Sequence, residues 1–382
     1  MLSEAGAVRR PPPTGSDREM RDMPFELVRV LDDSGQARGP WAPNLSEDLL
    51  KRGLRAMMLT RIFDDRLFRL QRQGKTSFYL KSTGEEAIGA AQSLMLGAGD
   101  MCFPTYRALS WLMARDYPLI RLVNQIFSNE QDPLKGRQLP VLYSARDYGF
   151  YSLSGNLGNR LGHAVGWAMA SAFKGDDRIA LGYIGDGSTA EGDFHSALTF
   201  AGVYRAPVLL CVTNNQWAIS TFSGVANAGE TTFAAKAIGY GVPGLRVDGN
   251  DFLAVCAATL WAVERARANL GATLIEFVTY RAAGHSTSDD PTKYRPADEA
   301  QHWPLGDPIT RLRGHLTGAG VWDDARHLAL ETELAEAVGA AVREGEAIGT
   351  LGHSKPGLRE MFEGVFSEPD WRVLEQRREL GV

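Results

Sequence analysis

Between about residues 150 and 282 the chain alternates continuous apolar runs with helical ones, and no other feature constrains its fold as tightly. The runs 179–184, 207–213, 244–247 and 273–278 are apolar almost throughout, not at every second position. A strand of that kind is covered on both faces, as in a parallel sheet flanked by helices. The stretches 190–203 and 252–269 read as the covering helices. The expected fold class is α/β: a doubly wound parallel sheet with helical N- and C-terminal extensions.

The flanks read differently. Residues 1–45 form an extended arm, because Pro11, Pro12 and Pro13 disfavour helix and only 25–31 has strand character. Such an arm is either disordered or ordered along a partner. Residues 46–145 read as a helical segment packed on the core, with Leu49, Leu54, Met57, Met58, Ile62 and Leu67 recurring near a 3.6-residue period. The α/β core spans 146–303. A C-terminal helical region, 304–382, follows; its stripe Leu328, Leu334, Val338 and Ala341 predicts a surface helix packed on the domain.

Bulk properties remove several function classes. A formal net charge of −5 gives no long-range attraction to nucleic acid or anionic membrane. Three separated cysteines without a C-x-x-C supply neither a disulfide framework nor a cysteine zinc site. No secretory signal and no apolar run of about 20 residues is visible. The expectation is a soluble cytoplasmic protein.

The chemistry concentrates where strands end. The run 179–184 leads into Gly185-Asp186-Gly187, and the run 207–213 leads into Asn214-Asn215. Either turn alone is usually structural. Here both follow apolar strands in a doubly wound sheet, whose ligands bind outside the carboxyl ends of the strands. A carboxylate and an amide oxygen are hard ligands suited to Mg²⁺. The helix expected from about Ser188 would point its N-terminal end at the same place. His285 lies in a polar loop after the 273–278 strand, at that same edge, and is the candidate for proton transfer. The other six histidines match no motif and read as structural or surface residues.

A GDG followed by 26 residues and NN resembles the thiamine-diphosphate fingerprint. The likeness extends along nearly the whole chain, through VRVLDDSGQARGPW (28–41), GEEAIG (84–89), DMCFPTYR (100–107), KGRQLP (135–140), GDGSTAEGDFHSALTFA (185–201), NNQWAIS (214–220), GHSTSDDPTKYRPAD (284–298) and LGDPI (305–309). In these stretches the chain is similar to the α subunits of branched-chain 2-oxo acid dehydrogenases, particularly the bacterial form. Pyruvate and acetoin dehydrogenase α subunits remain the alternative.

The resemblance implies a thiamine-diphosphate-binding fold and the following roles. Asp186 and Asn215 give side-chain oxygens, and Trp217 its backbone carbonyl, to Mg²⁺. Gly187 and Ser188 present backbone N–H groups to the diphosphate, and Tyr106 and Arg107 match a pair whose arginine binds phosphate. Gly155 and Leu157 contact the aminopyrimidine ring. His285 serves acyl transfer to lipoamide, and Ser286 and Ser288 share its loop, which eukaryotic relatives phosphorylate. The glutamate that protonates the aminopyrimidine belongs to a separate β subunit, in an α₂β₂ assembly that works with a lipoyl-bearing acyltransferase on a small 2-oxo acid. Asn159 and Arg160 depart from the Thr and Gln of many relatives near a potassium-binding loop beginning at Ser154, where an arginine can replace the ion. Thr213 stands where some relatives have a phosphate-binding arginine. Intact Asp186, Asn215 and His285 argue against a scaffold that has lost its cofactor. The lack of a G-x-G-x-x-G after a strand argues against a nicotinamide-binding protein.

Overall fold

A computed structural model describes residues 3–225, 227, 231–364 and 366–382. Its strands are β1 (Leu27–Val28), β2 (Met101–Phe103), β3 (Ala180–Gly185), β4 (Val208–Asn214), β5 (Trp217–Ala218), β6 (Thr221–Phe222), β7 (Gly244–Asp248) and β8 (Thr273–Val278). Six of them form one sheet in the order β1-β7-β8-β4-β3-β2, with every neighbouring pair parallel. Strands β5 and β6 make a short antiparallel hairpin after β4. The parallel sheet expected from the apolar runs is present.

Helices α1 (Glu47–Arg72), α2 (Glu86–Met95), α3 (Leu109–Ala114) and α4 (Leu119–Phe127) precede the main run of strands. Next come α5 (Asn159–Lys174), α6 (Gly192–Val203) and α7 (Phe252–Arg267). The chain steps across the sheet one way from β2 through β3 to β4, and the other way from β7 to β8. Right-handed crossovers therefore place α5 and α6 on one face and α7 on the opposite face. Alternate strand residues feed two cores. Ala180, Ile184, Leu210 and Val212 pack with Leu161, Val165, Phe194 and Leu198. Leu181, Tyr183, Leu209 and Cys211 pack with Ile88, Val255 and Trp261 on the other side.

Register brings the strand ends level. Gly185 lies opposite Thr213, and Asn214 opposite Val278, so the segments after β3, β4 and β8 emerge side by side. The connections into β4 and β8 leave in opposite directions, which is the topological switch where such sheets open a crevice.

The N-terminal segment is held in place by its own chain. Its described residues dock on their own chain, and of 25–31 only Leu27–Val28 is strand, paired parallel with β7. Trp261 donates its indole N–H to the Pro11 carbonyl (2.8 Å), and Arg265 donates to the carbonyls of Gly15 (2.9 Å) and Pro13. Proline suits this position because it offers an acceptor and no donor. Asp251 ties the pieces together. One carboxylate oxygen caps α7 through the N–H groups of Leu253 and Ala254, and the other accepts from Val30 (2.8 Å) and Leu31 (2.6 Å).

The stretch 46–145 is mainly helical but includes β2, an edge strand of the sheet. After the core come α8 (Pro308–Gly318), α9 (Asp324–Ile348) and α10 (Trp371–Leu380). Leu334, Val338 and Ala341 of α9 are buried as expected, joined by Val342, whereas Leu328 is exposed. Helix α9 packs on α1 and α4. All three cysteines are buried and unpaired. No helix among the described residues is long and apolar enough to cross a membrane.

Asp251→Ala should cost about 3 kcal/mol or more, since it removes a helix cap and leaves Arg311, 3.3 Å away, short of one partner. Denaturant unfolding measures the loss, and limited proteolysis should show faster cutting within residues 3–45.

Candidate functional site

The carboxyl edge gathers most of the residues singled out from the sequence. Asp186 leaves β3 almost fully buried. Its Oδ1 accepts from the Gly187 N–H at 2.8 Å, and its Oδ2 is buried with no hydrogen-bond partner. Burial pushes this carboxyl up to about 6, against the opposing pull of the Gly187 N–H and Arg281. Gly187 opens one 3-10 turn, Gly187–Ala190, and α6 begins only at Gly192, so the helix expected from about Ser188 starts a turn later. A Cβ on Gly187 would lie 2.5 Å from the Cβ of Ala218, so only glycine fits. Ser188 lines the cleft.

Asn215 follows β4 and reaches the same cleft. Its Nδ2 donates to Glu85 Oε1 (2.7 Å), and its Oδ1 accepts from the Trp217 N–H (3.3 Å). Between them, Gln216 takes a left-handed φ of 72°, a strained conformation for a non-glycine residue. The Trp217 carbonyl accepts from Arg281 at 3.0 Å, which leaves its second lone pair for any further ligand. Arg281 also donates to the Ile219 carbonyl (2.8 Å) and the Tyr294 hydroxyl (2.6 Å), so it pins the hairpin to the loop that follows β8.

Arg107 is buried beyond the end of β2. It donates to the His285 carbonyl (2.7 Å) and the Lys81 carbonyl, and its Nε lies 3.6 Å from Glu85. Tyr106 meets the His285 ring edge-on, with centroids 6.0 Å apart. His285 Nδ1 is 3.5 Å from Arg107 Nη2. Burial depresses the His285 pKa to about 4, and the positive charges of Arg107 and Arg281 add to that effect. The imidazole is therefore neutral at neutral pH. Asp289 accepts from the His285 backbone N–H (2.6 Å), and Ser286 accepts from the Ser288 N–H (3.3 Å), so the loop is held from within.

Leu157 lines the cleft, whereas Gly155, two residues earlier, does not. Thr105, Thr213 and Arg160 complete the wall. The buried Arg160 guanidinium draws in the carbonyls of Pro104 (3.0 Å), Ser154 (3.3 Å) and Asn156 (3.4 Å), so a cation of the chain itself fills the loop that begins at Ser154. Among the described residues no three carboxylate, imidazole or thiol side chains converge. A metal here would draw on the Asp186 carboxylate, the Asn215 amide and a backbone carbonyl, an oxygen set that suits Mg²⁺. The unpartnered Asp186 Oδ2 fits that use.

Two features have no role in the sequence reading. Glu85 lines the cleft, bonded to Asn215; its motif was noticed, but nothing in the pattern says which way the side chain points. The second is a row of glycines, Gly158, Gly162 and Gly166, at every fourth position. Gly158 does meet the side chains of Asp193 and Glu191, but Gly162 and Gly166 face no atom within 4 Å. Together with Val165, Met169, Ala197 and Phe200 they line an open groove between α5 and α6.

The family model described as "Dehydrogenase E1 component" matches residues 54–353, and the chain belongs to that family. It is 57% identical to the 2-oxoisovalerate dehydrogenase subunit alpha of Pseudomonas aeruginosa, over 100% of this chain and 93% of that protein. It is 37% identical to the mitochondrial 2-oxoisovalerate dehydrogenase subunit alpha 2 of Arabidopsis thaliana, over 91% of this chain and 73% of the other. For the mitochondrial 2-oxoisovalerate dehydrogenase subunit alpha of Homo sapiens the identity is 36%, over 93% and 79%.

The His285 geometry has a measurable consequence. An unfolded histidine protonates near pH 6.5, whereas the folded ring resists protonation until pH is about 4. As pH falls through that window the unfolded chain gains a proton that the folded chain does not, so His285 lowers stability there. Histidine NMR should show one ring titrating near pH 4 that is lost in His285→Asn, and the variant's stability should fall less steeply over the same range. A midpoint above pH 6 would contradict this geometry.

Proposed function

We infer that the chain is the α subunit of a thiamine-diphosphate-dependent 2-oxo acid dehydrogenase acting on branched-chain substrates such as 2-oxoisovalerate, the compound named in its relatives. One observation carries this reading: Asp186 and Asn215 follow the level ends of the paired strands β3 and β4, and Arg107, which lines the cleft with Asn215, bonds the His285 carbonyl, in a chain alike over its whole length to a 2-oxoisovalerate dehydrogenase α subunit.

In this reading the Asp186 carboxylate, the Asn215 amide oxygen and the Trp217 carbonyl would hold Mg²⁺. Arg107 turns its remaining N–H groups to the diphosphate, whose oxygens suit the guanidinium fork. The N–H groups of Gly187 and Ser188, at the start of a helical turn, add donors for the same anion. Leu157 packs against the aminopyrimidine, with Gly155 in the same loop. Thiamine diphosphate, when bound, supplies the nucleophilic carbon and the electron sink for loss of carbon dioxide from a 2-oxo acid. This chain's residues bind, orient and handle protons. His285 Nδ1 faces Arg107, which leaves Nε2 as the nitrogen that exchanges a proton while the acyl group passes to the lipoyl arm of an acyltransferase.

The remaining acid, a glutamate, comes from a β subunit in an α₂β₂ assembly. The open groove between α5 and α6 supports such a partner, because the bare faces of Gly162 and Gly166 allow another element to approach closely. The three buried thiols fit a reducing, cytoplasmic setting.

Co-expression with the β subunit, and decarboxylation assayed with an artificial electron acceptor, tests the reading. Turnover should need thiamine diphosphate and Mg²⁺, favour 2-oxoisovalerate over pyruvate, and vanish in Asp186→Ala without a change in cofactor-free melting temperature. Preference for pyruvate would move the substrate assignment. Turnover indifferent to the cofactor would overturn the reading.

A further inference from the structure

The motif G-E-E at 84–86 forms the most tightly clamped turn near the cleft. Gly84 has a φ of +101°, and a Cβ there would lie 2.1 Å from the Tyr280 carbonyl oxygen, so the turn is pressed against the segment after β8. Its carbonyl accepts from the Thr279 hydroxyl (2.7 Å) and from Asn250 Nδ2 (2.9 Å). Glu86 points away from the cleft. It accepts from the Gly84 N–H (2.8 Å) and pairs with Arg61 (2.8 Å), which itself reaches Asp307 (2.6 Å). With both neighbours fixed, Glu85 at the start of α2 has one direction left, into the cleft.

There the Glu85 carboxylate meets two groups with proposed cofactor roles. Its Oε1 accepts from Asn215 Nδ2 at 2.7 Å and lies 3.6 Å from Arg107 Nε. An acceptor oxygen at this position fixes which end of the Asn215 amide faces it. The nitrogen turns to Glu85, and the oxygen is presented on the opposite side. We propose that Glu85 is the positioning residue of the metal site, holding the Asn215 amide so that its oxygen, not its nitrogen, is offered to Mg²⁺, while setting the Arg107 guanidinium beside it. The inference rests on the cofactor reading above. Partners of this kind, one shell outside a metal, orient its ligands and typically account for about 10- to 100-fold in metal affinity.

The experiment is Mg²⁺ binding to the assembled α–β complex in the presence of thiamine diphosphate, followed by tryptophan fluorescence, for which Trp217 is a local reporter. Glu85→Ala should weaken Mg²⁺ by about 10- to 100-fold. Glu85→Gln retains an acceptor oxygen and should stay within a few-fold of the wild-type complex. Glu85→Met, which keeps the volume without the acceptor, replaces Glu85→Ala if that variant does not assemble. A purely structural Glu85 would lower the metal-free melting temperature and leave the Mg²⁺ affinity of the folded complex unchanged. Wild-type affinity in the Ala or Met variant, or an equal loss in Glu85→Gln, would overturn the proposal. A wild-type complex that shows no Mg²⁺-dependent change would overturn the cofactor reading itself, a result distinct from wild-type binding that the variants share.

Discussion

The site depends on buried positive charge held mostly by uncharged partners. Arg107, Arg160, Arg281 and Arg295 are all buried around the cleft and its loops, and most of their hydrogen bonds go to backbone carbonyls. A carbonyl satisfies a donor without cancelling its charge, so a positive field remains where water is scarce. That field helps to keep His285 neutral and suits the cleft to an anionic ligand. It also fixes the backbone, because each guanidinium staples two or three chain segments that no regular element joins. The loop after β8 is ordered largely in this way: Arg295 holds the carbonyls of Arg281 and Ala283, and Arg281 holds the hairpin in front of them.

The central sheet was legible because burial on both faces leaves an unambiguous trace, and the four long apolar runs are strands within a residue or so of their expected ends. Asp186, Asn215 and His285 could be placed on one edge because strand direction alone decides where a turn emerges. Other features leave no such trace. Strand β2 is three residues long, too short to carry a period, and the contacts of the N-terminal segment fall at irregular intervals, as with Val8, Met20, Met23 and Trp41. The part played by Glu85 depends on a side-chain direction set by a glycine pressed on a carbonyl 196 positions away in sequence (280 − 84). No local pattern encodes that.

The two faces of the sheet are finished differently. On the α7 side the chain supplies several layers, from α1 to α3 and from the N-terminal segment over Trp261 and Arg265. On the other side a single layer, α5 and α6 with the segment 233–242 beside them, covers the sheet, and Gly162 and Gly166 look outward. Phe173, Phe200, Val203 and Tyr204 on or beside these helices are also exposed. One side is closed by its own sequence, and the other leaves apolar side chains and glycines in the open.

Docking of the N-terminal segment also bears on how the chain acquires its structure. The amide of Leu31 is made before its partner, which is Asp251, 220 residues later. Until β7 and α7 have been made, β1 has no strand to pair with and the proline carbonyls have no donors. The strand β1 can therefore join the sheet only after β7 has been made. Long-range pairing of this kind slows folding and leaves sheet edges open in the meantime. Whenever this segment is undocked, Trp261 and the edge of β7 are uncovered, and the chain is then open to association with others of its kind.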